Sequence, residues 1–133
     1  MSGDTAAREN YHVIPLNPED AFEAISNGRR RRVLLSLDCS DSPISAGDLA
    51  VELAAIENGV ETSAVTSDQR SRVYIALTQV HLDTLHEVGA VKYGHRSKQV
   101  APTDATAGLA EVIRRTESSC YTPKSERGGE VDA

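Results

Sequence analysis

The sequence predicts a single, mainly helical domain that carries a small β-hairpin, and three observations point there. Apolar residues recur every three or four positions through segments spread from Phe22 to Ile113. Helix-start signals stand in front of most of those segments. One glycine, Gly89, separates the last long helical pattern from two short extended stretches around a basic turn, "AVKYG" and "QVAPT".

The elements follow in order. Asn17-Pro18-Glu19-Asp20 is a helix start: Asn caps, Pro suits the first turn, and the acids favour the positive end of the helix dipole. Phe22 and Ile25 are expected to point inward from it. Asn27-Gly28 interrupts, and "RRRRVLLSLD" makes a second helix with Val33, Leu34 and Leu37 at helical spacing. In "SAGDLAVELAAIE", Ser45 and Asp48 have capping-box spacing and Leu49, Leu53 and Ile56 form the apolar stripe. The segment "NGVETSAVTS" leads to a longer helix from about Asp68, announced by Thr66 and Gln69, that should stop at Gly89, a natural left-handed cap. A hairpin turning at about His95 to Lys98 and a final helix, "DATAGLAEVIRRTE", with Leu109, Val112 and Ile113 inward, complete the domain. Residues 1–16 and 118–133 are expected to be flexible, leaving 17–117 as the folded unit.

With 133 residues, one Phe, four Tyr and no Trp, the chain has material for one economical core. No stretch approaches the roughly 20 apolar residues of a membrane span, and "MSGDTAAREN" lacks the order of a signal peptide, so a cytoplasmic protein without membrane contact is expected. Cys39 and Cys120 are isolated and are read as reduced thiols. The net charge is −6, only three of the fourteen bases are Lys, and carboxylates are plentiful, a balance that suits a salt-rich cytosol, with an ordinary mildly acidic protein as the competing reading. Nine of the fourteen bases fall in the run Arg29–Arg32 and between Arg70 and Lys98.

Four helices, a hairpin and a closing helix are in the order of a winged helix-turn-helix domain. The segments "AISNGRRRRVLLSL", "DLAVELA" and "VYIALTQVHLDTLHEVGAVKY" resemble the equivalent parts of ArsR-type winged-helix regulators, and still more a small winged-helix family of halophilic archaea. That resemblance covers roughly residues 20–103, and His81-Leu82, Leu85 and Gly89-Ala90-Val91 are its most specific part. It implies a transcription regulator binding double-stranded DNA, with a reading helix over about 68–89 and a wing over about 90–103. It does not bring metal sensing with it, because "DLAVELA" lacks the paired cysteines of the metal-sensing members.

On a wheel of about 100° per residue, Tyr74, Ile75, Leu77, His81, Leu82, Leu85 and Val88 share one arc, and Arg72, Ala76, Gln79, Asp83 and His86 the other. Arg72, Ala76 and Gln79 are therefore the base-reading candidates. Arg70, Arg96 and Lys98 are phosphate candidates, as are Arg29 and Arg31, for which ion pairing with Glu19, Asp20 and Glu23 is the competing reading; Arg30, on the side of Val33, Leu34 and Leu37, is expected to be structural. Leu82, Leu85 and Gly89 are structural too, and His81 is read as a core histidine bonded to the backbone. His81 and His86, five residues apart, diverge by roughly 140° and do not form a shared metal site; His86 and His95 are expected to be exposed.

No metal, cofactor or catalysis is expected, since nucleophile-elbow, phosphate-loop and zinc-protease motifs are missing. A homodimer through the outer helices, residues 18–26 and 105–117, is anticipated. A protein-interaction module that never touches DNA, and a small-ligand or metal sensor, are the other readings the sequence leaves open. The ten residues of "NGVETSAVTS" exceed the three or four of a compact helix-turn-helix, so the third helix is longer than drawn or the connection is a true insertion.

Overall fold

The computed structural model describes residues 13–120. The two segments expected to be flexible lie outside the described residues up to residue 12 and from residue 121 onward.

The elements are α1 (Pro18–Ile25), α2 (Gly28–Asp38), β1 (Ile44–Ser45), α3 (Ala46–Asn58), a 3₁₀ turn (Thr62–Ala64), α4 (Ser67–Ala76), a π-helical turn (Leu77–His81), α5 (Leu82–Glu87), β2 (Val91–Tyr93), β3 (Gln99–Pro102) and α6 (Thr106–Ser119). The molecule is mainly helical with a small three-stranded antiparallel sheet of order β1-β3-β2, compatible with a winged-helix-like fold. In register, Ile44 faces Val100 and Val91 faces Pro102. β1 was not expected: two residues are too short to show an alternation in sequence, and they become a strand only because β3 offers them a partner.

The start signals work as expected. The Asn17 side chain accepts from Asp20 N, Ser45 from Asp48 N, and Thr66 and Gln69 form a reciprocal capping box. Gly89 has φ +87°, the left-handed conformation that ends α5. A Cβ there would lie 3.3 Å from Leu16 Cδ2, so close packing also favours glycine.

Val33, Leu34 and Leu37 of α2 are buried, with Leu49 and Leu53 of α3, Val73, Leu77, Leu82 and Leu85 of the long helix, and Leu109 and Ile113 of α6. Arg114 of α6 pairs with Asp38 of α2 at 2.8 Å on the rim. Burying some ten large aliphatic side chains at about 1.5–3 kcal/mol each is the chief favourable contribution to the fold.

Several inward assignments are corrected. Phe22 is 67% exposed, because α1 lies on the core through the small Ala24, which permits close approach, whereas Ile25, half-buried, packs against the core as expected. Ile56 is 49% exposed, at the end of α3. Val112 lies on the outer flank of α6. Residues 14 and 16 belong to the body rather than to a loose end: Ile14 and Leu16 pack on the core. The final helix runs to Ser119, past the expected 117. α3 ends near its expected position, so the connection 59–66 stays longer than that of a compact helix-turn-helix and contains the 3₁₀ turn.

The largest correction concerns the long helix. The buried residues Val73, Leu77, Leu82 and Leu85 step by four, five and three. The five-residue step is the π turn, which rotates everything after it relative to a uniform wheel. With the stripe centred on Val73 and Leu77, Ile75 is turned outward and is 53% exposed, and Ala76 is half-buried at the flank.

Candidate nucleic-acid interface

The outer face of α4 is set by what α4 buries. Opposite Val73 and Leu77 lie Asp68, Ser71, Arg72, Ile75 and Gln79, all exposed. Of the three base-reading candidates, Arg72 and Gln79 are thus brought onto one face, while Ile75 takes the central place expected of Ala76. Arg72 Nη2 lies 3.0 Å from Asp68 Oδ2, and with both side chains largely exposed this pair is weak and exchangeable.

Arg70 projects from the first turns of α4 toward the start of α3. Its guanidinium lies 5.9 Å from the Tyr74 ring centroid, and its Nη1 is 3.9 Å from where a Cβ on Gly47 would stand. A cation thereby sits beside the N-terminus of α3, the positive end of that helix's dipole.

The hairpin is fastened to the long helix by two histidines and one carboxylate. β2 is an edge strand, and its Tyr93 N–H donates to His86 Nδ1 at 3.2 Å. His95 Nε2 lies 3.0 Å from Asp83 Oδ1, and the His95 ring packs on Tyr93 with centroids 5.1 Å apart. Both imidazoles are exposed as expected, yet each has a positioning partner. Sequence reasoning missed these links, because contacts from helix to hairpin have no spacing rule.

At the turn, Arg96 is exposed and Lys98 half-buried. Lys98 has φ +57°, a left-handed conformation unusual for a side-chain-bearing residue. Its N–H donates to Gly94 O and its carbonyl accepts from Ala46 N, both at 2.8 Å, so the turn is tied to the first residue of α3.

The arginine run lies elsewhere and is largely engaged within the fold. Arg29 makes a bidentate pair with Glu57, at 2.7 and 2.8 Å, and that hydrogen bonding holds the Glu57 carboxyl below its ordinary range. Arg31 Nη1 donates to Ile25 O at 2.7 Å, satisfying a carbonyl at the end of α1. Arg29 and Arg31, both phosphate candidates from the sequence, thus serve as donors within the fold. Among the described residues, the competing expectation of pairing with α1 acids holds for Arg30 alone, whose Nη2 lies 3.7 Å from Glu23 Oε2.

Arg30 is the structural member of the run, 7% exposed. It donates to Glu23 O, Ser26 Oγ and His81 Nδ1, at 3.2, 2.8 and 3.1 Å. His81 is thus bonded to a side chain rather than to the backbone, and it is half-buried rather than in the core. Because a guanidinium only donates, Nδ1 must be the acceptor, and the neutral ring carries its proton on Nε2. Burial, with Arg30 and Arg29 nearby, pushes the His81 pKa below its ordinary value, which agrees with a neutral ring. Among the described residues no group of His, Cys, Asp and Glu assembles to hold a metal ion, and no helix is long and apolar enough to cross a membrane.

Residues 22–101 match a domain of unknown function, DUF7344. The chain belongs to the DUF7344 family. No curated protein and no solved structure matches it. The matched span runs from Phe22 on α1 to Ala101 on β3, so the DUF7344 unit contains the arginine run, the long helix and the hairpin, and ends before α6.

Proposed function

We propose that this DUF7344 protein is a winged-helix, sequence-specific DNA-binding regulator of ArsR-like type and not an enzyme. The observation that carries the reading is the outer face of α4 and the π turn after it, with Arg72, Ile75 and Gln79 outward, beside a hairpin fastened to α5 through His86 and Asp83. In this reading α2, α3 and the long helix are the three helices of the unit, β1 closes the sheet, and β2–β3 is the wing. Gln79 pairs with adenine, Arg72 with guanine, and Ile75 makes apolar contact of the kind a thymine methyl accepts. Arg70 beside the α3 N-terminus, and Arg96 at the wing tip, take phosphates. Lys98, partly buried in the turn, has the lesser share.

A two-fold dimer through α1 and α6 belongs to the same proposal. Phe22 and Val112 are exposed on those helices, and two-fold symmetry would set two reading helices about 34 Å apart, one DNA turn.

The test is selection of genomic fragments by the full chain over a series of salt concentrations, with footprinting of the enriched sequence and sedimentation of the DNA-free protein. Expected are two half-sites one turn apart and a dimer. Gln79→Ala should relax base preference by about 1–3 kcal/mol, and Arg96→Ala should weaken all sequences alike and make the salt slope shallower by about one unit. Absence of any enriched sequence, with a stable protein partner recovered instead, would favour an interaction module, a reading that the −6 net charge already accommodates.

A further inference from the structure

Between the start of α2, the end of α3 and the π turn, the surface opens into a cavity of about 550 Å³, within the range of small-molecule sites. It lies at the arginine run. Its contents explain three features that the DNA reading leaves unused.

The first is Arg32. Its neighbours in the run all have partners, but Arg32 lines the cavity, half-buried, with no hydrogen bond or ion pair among the described residues. The second is His81, also in the wall. Arg30 occupies its Nδ1 at 3.1 Å, so its remaining nitrogen, Nε2–H, is a donor. The third is Ile56, 49% exposed at the end of a helix whose other large apolar residues are mostly covered. Ile56 and Leu35 supply the apolar wall of the same cavity. Donors and hydrocarbon in one lining suit a ligand with a polar head and an apolar body. The widened π turn that carries His81 into this wall is a feature often found at functional sites.

The charge balance selects the head group. The lining holds Arg29, Arg31 and Arg32 with Glu57 and Glu117, and His81 is neutral, so the cavity has an excess of a single positive charge. A monoanion matches that excess, whereas a phosphate dianion exceeds it. Arg29 is engaged by its bidentate pair with Glu57 and Arg31 by the Ile25 carbonyl at 2.7 Å, so Arg32, the member of the three with no partner among the described residues, is the cation most open to a planar anion.

We propose that this cavity binds a small organic carboxylate with an apolar body, its head held by Arg32 and His81 Nε2–H and its body resting on Ile56 and Leu35. The site is independent of the DNA reading and is tested without DNA. The DNA-free full chain is titrated calorimetrically with benzoate, and separately with inorganic phosphate and with benzyl alcohol, which keeps the ring and lacks the charge. Benzoate should bind saturably at one site per chain, and the other two should bind at least about tenfold more weakly, the loss equivalent to one charged hydrogen bond. Arg32→Gln and Ile56→Ser should each weaken benzoate about tenfold, whereas Arg115→Gln on the exposed side of α6 should not. Melting temperatures of the variants establish that each is folded. No saturable benzoate binding, equal binding of phosphate or benzyl alcohol, or folded Arg32→Gln and Ile56→Ser proteins that bind as the parent does would each overturn the proposal.

Discussion

The arginine run on α2 and the scattered bases of α4 and the hairpin have opposite fates. In sequence the run is the denser cationic feature, four arginines in succession. In the folded chain Arg30 is buried, Arg29 is held by Glu57, and Arg31 serves a carbonyl of α1. Arg70, Arg72 and Arg96, which no run advertises, stand exposed. Charge density along a chain therefore does not measure charge available to a partner. A cation near the crossing of three helices finds acceptors at helix ends and on facing helices, while one on the outer side of a helix or in a turn is left to solvent.

The most severe way to break this contrast is to remove Arg30. Arg30→Ala should leave Ser26 Oγ and His81 Nδ1 without the donor they accept from, remove one of the donors to Glu23 O, and cost about 2–4 kcal/mol in chemical denaturation. A loss no larger than that of an exposed arginine would show that the whole run is peripheral and remove the distinction.

A smaller effect is expected from pH, through His81. Its folded pKa lies below the unfolded value of about 6.5, so between the two the unfolded chain binds more protons and stability rises with pH. The contribution is complete above about pH 6.5 and is lost as the pH falls through the folded value, where a protonated ring can no longer accept from Arg30. Charged groups facing the ring are Arg30, Arg29 and Glu57, of which only Glu57 opposes the shift. Melting curves of the parent and His81→Gln should diverge across this window, the parent losing more on acidification; parallel curves would dissociate His81 from the Arg30 network.

The smallest effect should come from Arg29. Its pair with Glu57 is about one-third exposed, so Arg29→Ala should cost no more than about 1 kcal/mol. On the proposed DNA target the same variant should bind with unchanged affinity and salt slope, in contrast to Arg96→Ala. A slope that became shallower by about one unit for Arg29→Ala as well would return the run to the phosphate-contacting set.

Local chemistry was legible in the sequence, because caps, breakers and apolar spacing act within a few residues. Asn17, Ser45, Thr66 and Gly89 mark element ends on their own authority: each has a donor or acceptor, or a permitted backbone angle, that its neighbours lack. From those ends and the stripes between them follow the helices, the hairpin and their order. The tertiary structure decided what depends on partners far away in the chain. Ile44–Ser45 is a strand because β3 lies beside it. The π turn is set by the joint burial of Val73, Leu77, Leu82 and Leu85, and it replaces Ala76 by Ile75 on the outer face. Arg29 meets Glu57 across 28 positions and Arg30 meets His81 across 51. A side chain in the run is chemically the same at each position, so only the packing of α1, α3 and the π turn around α2 determines which arginine is enclosed and which is left to a ligand.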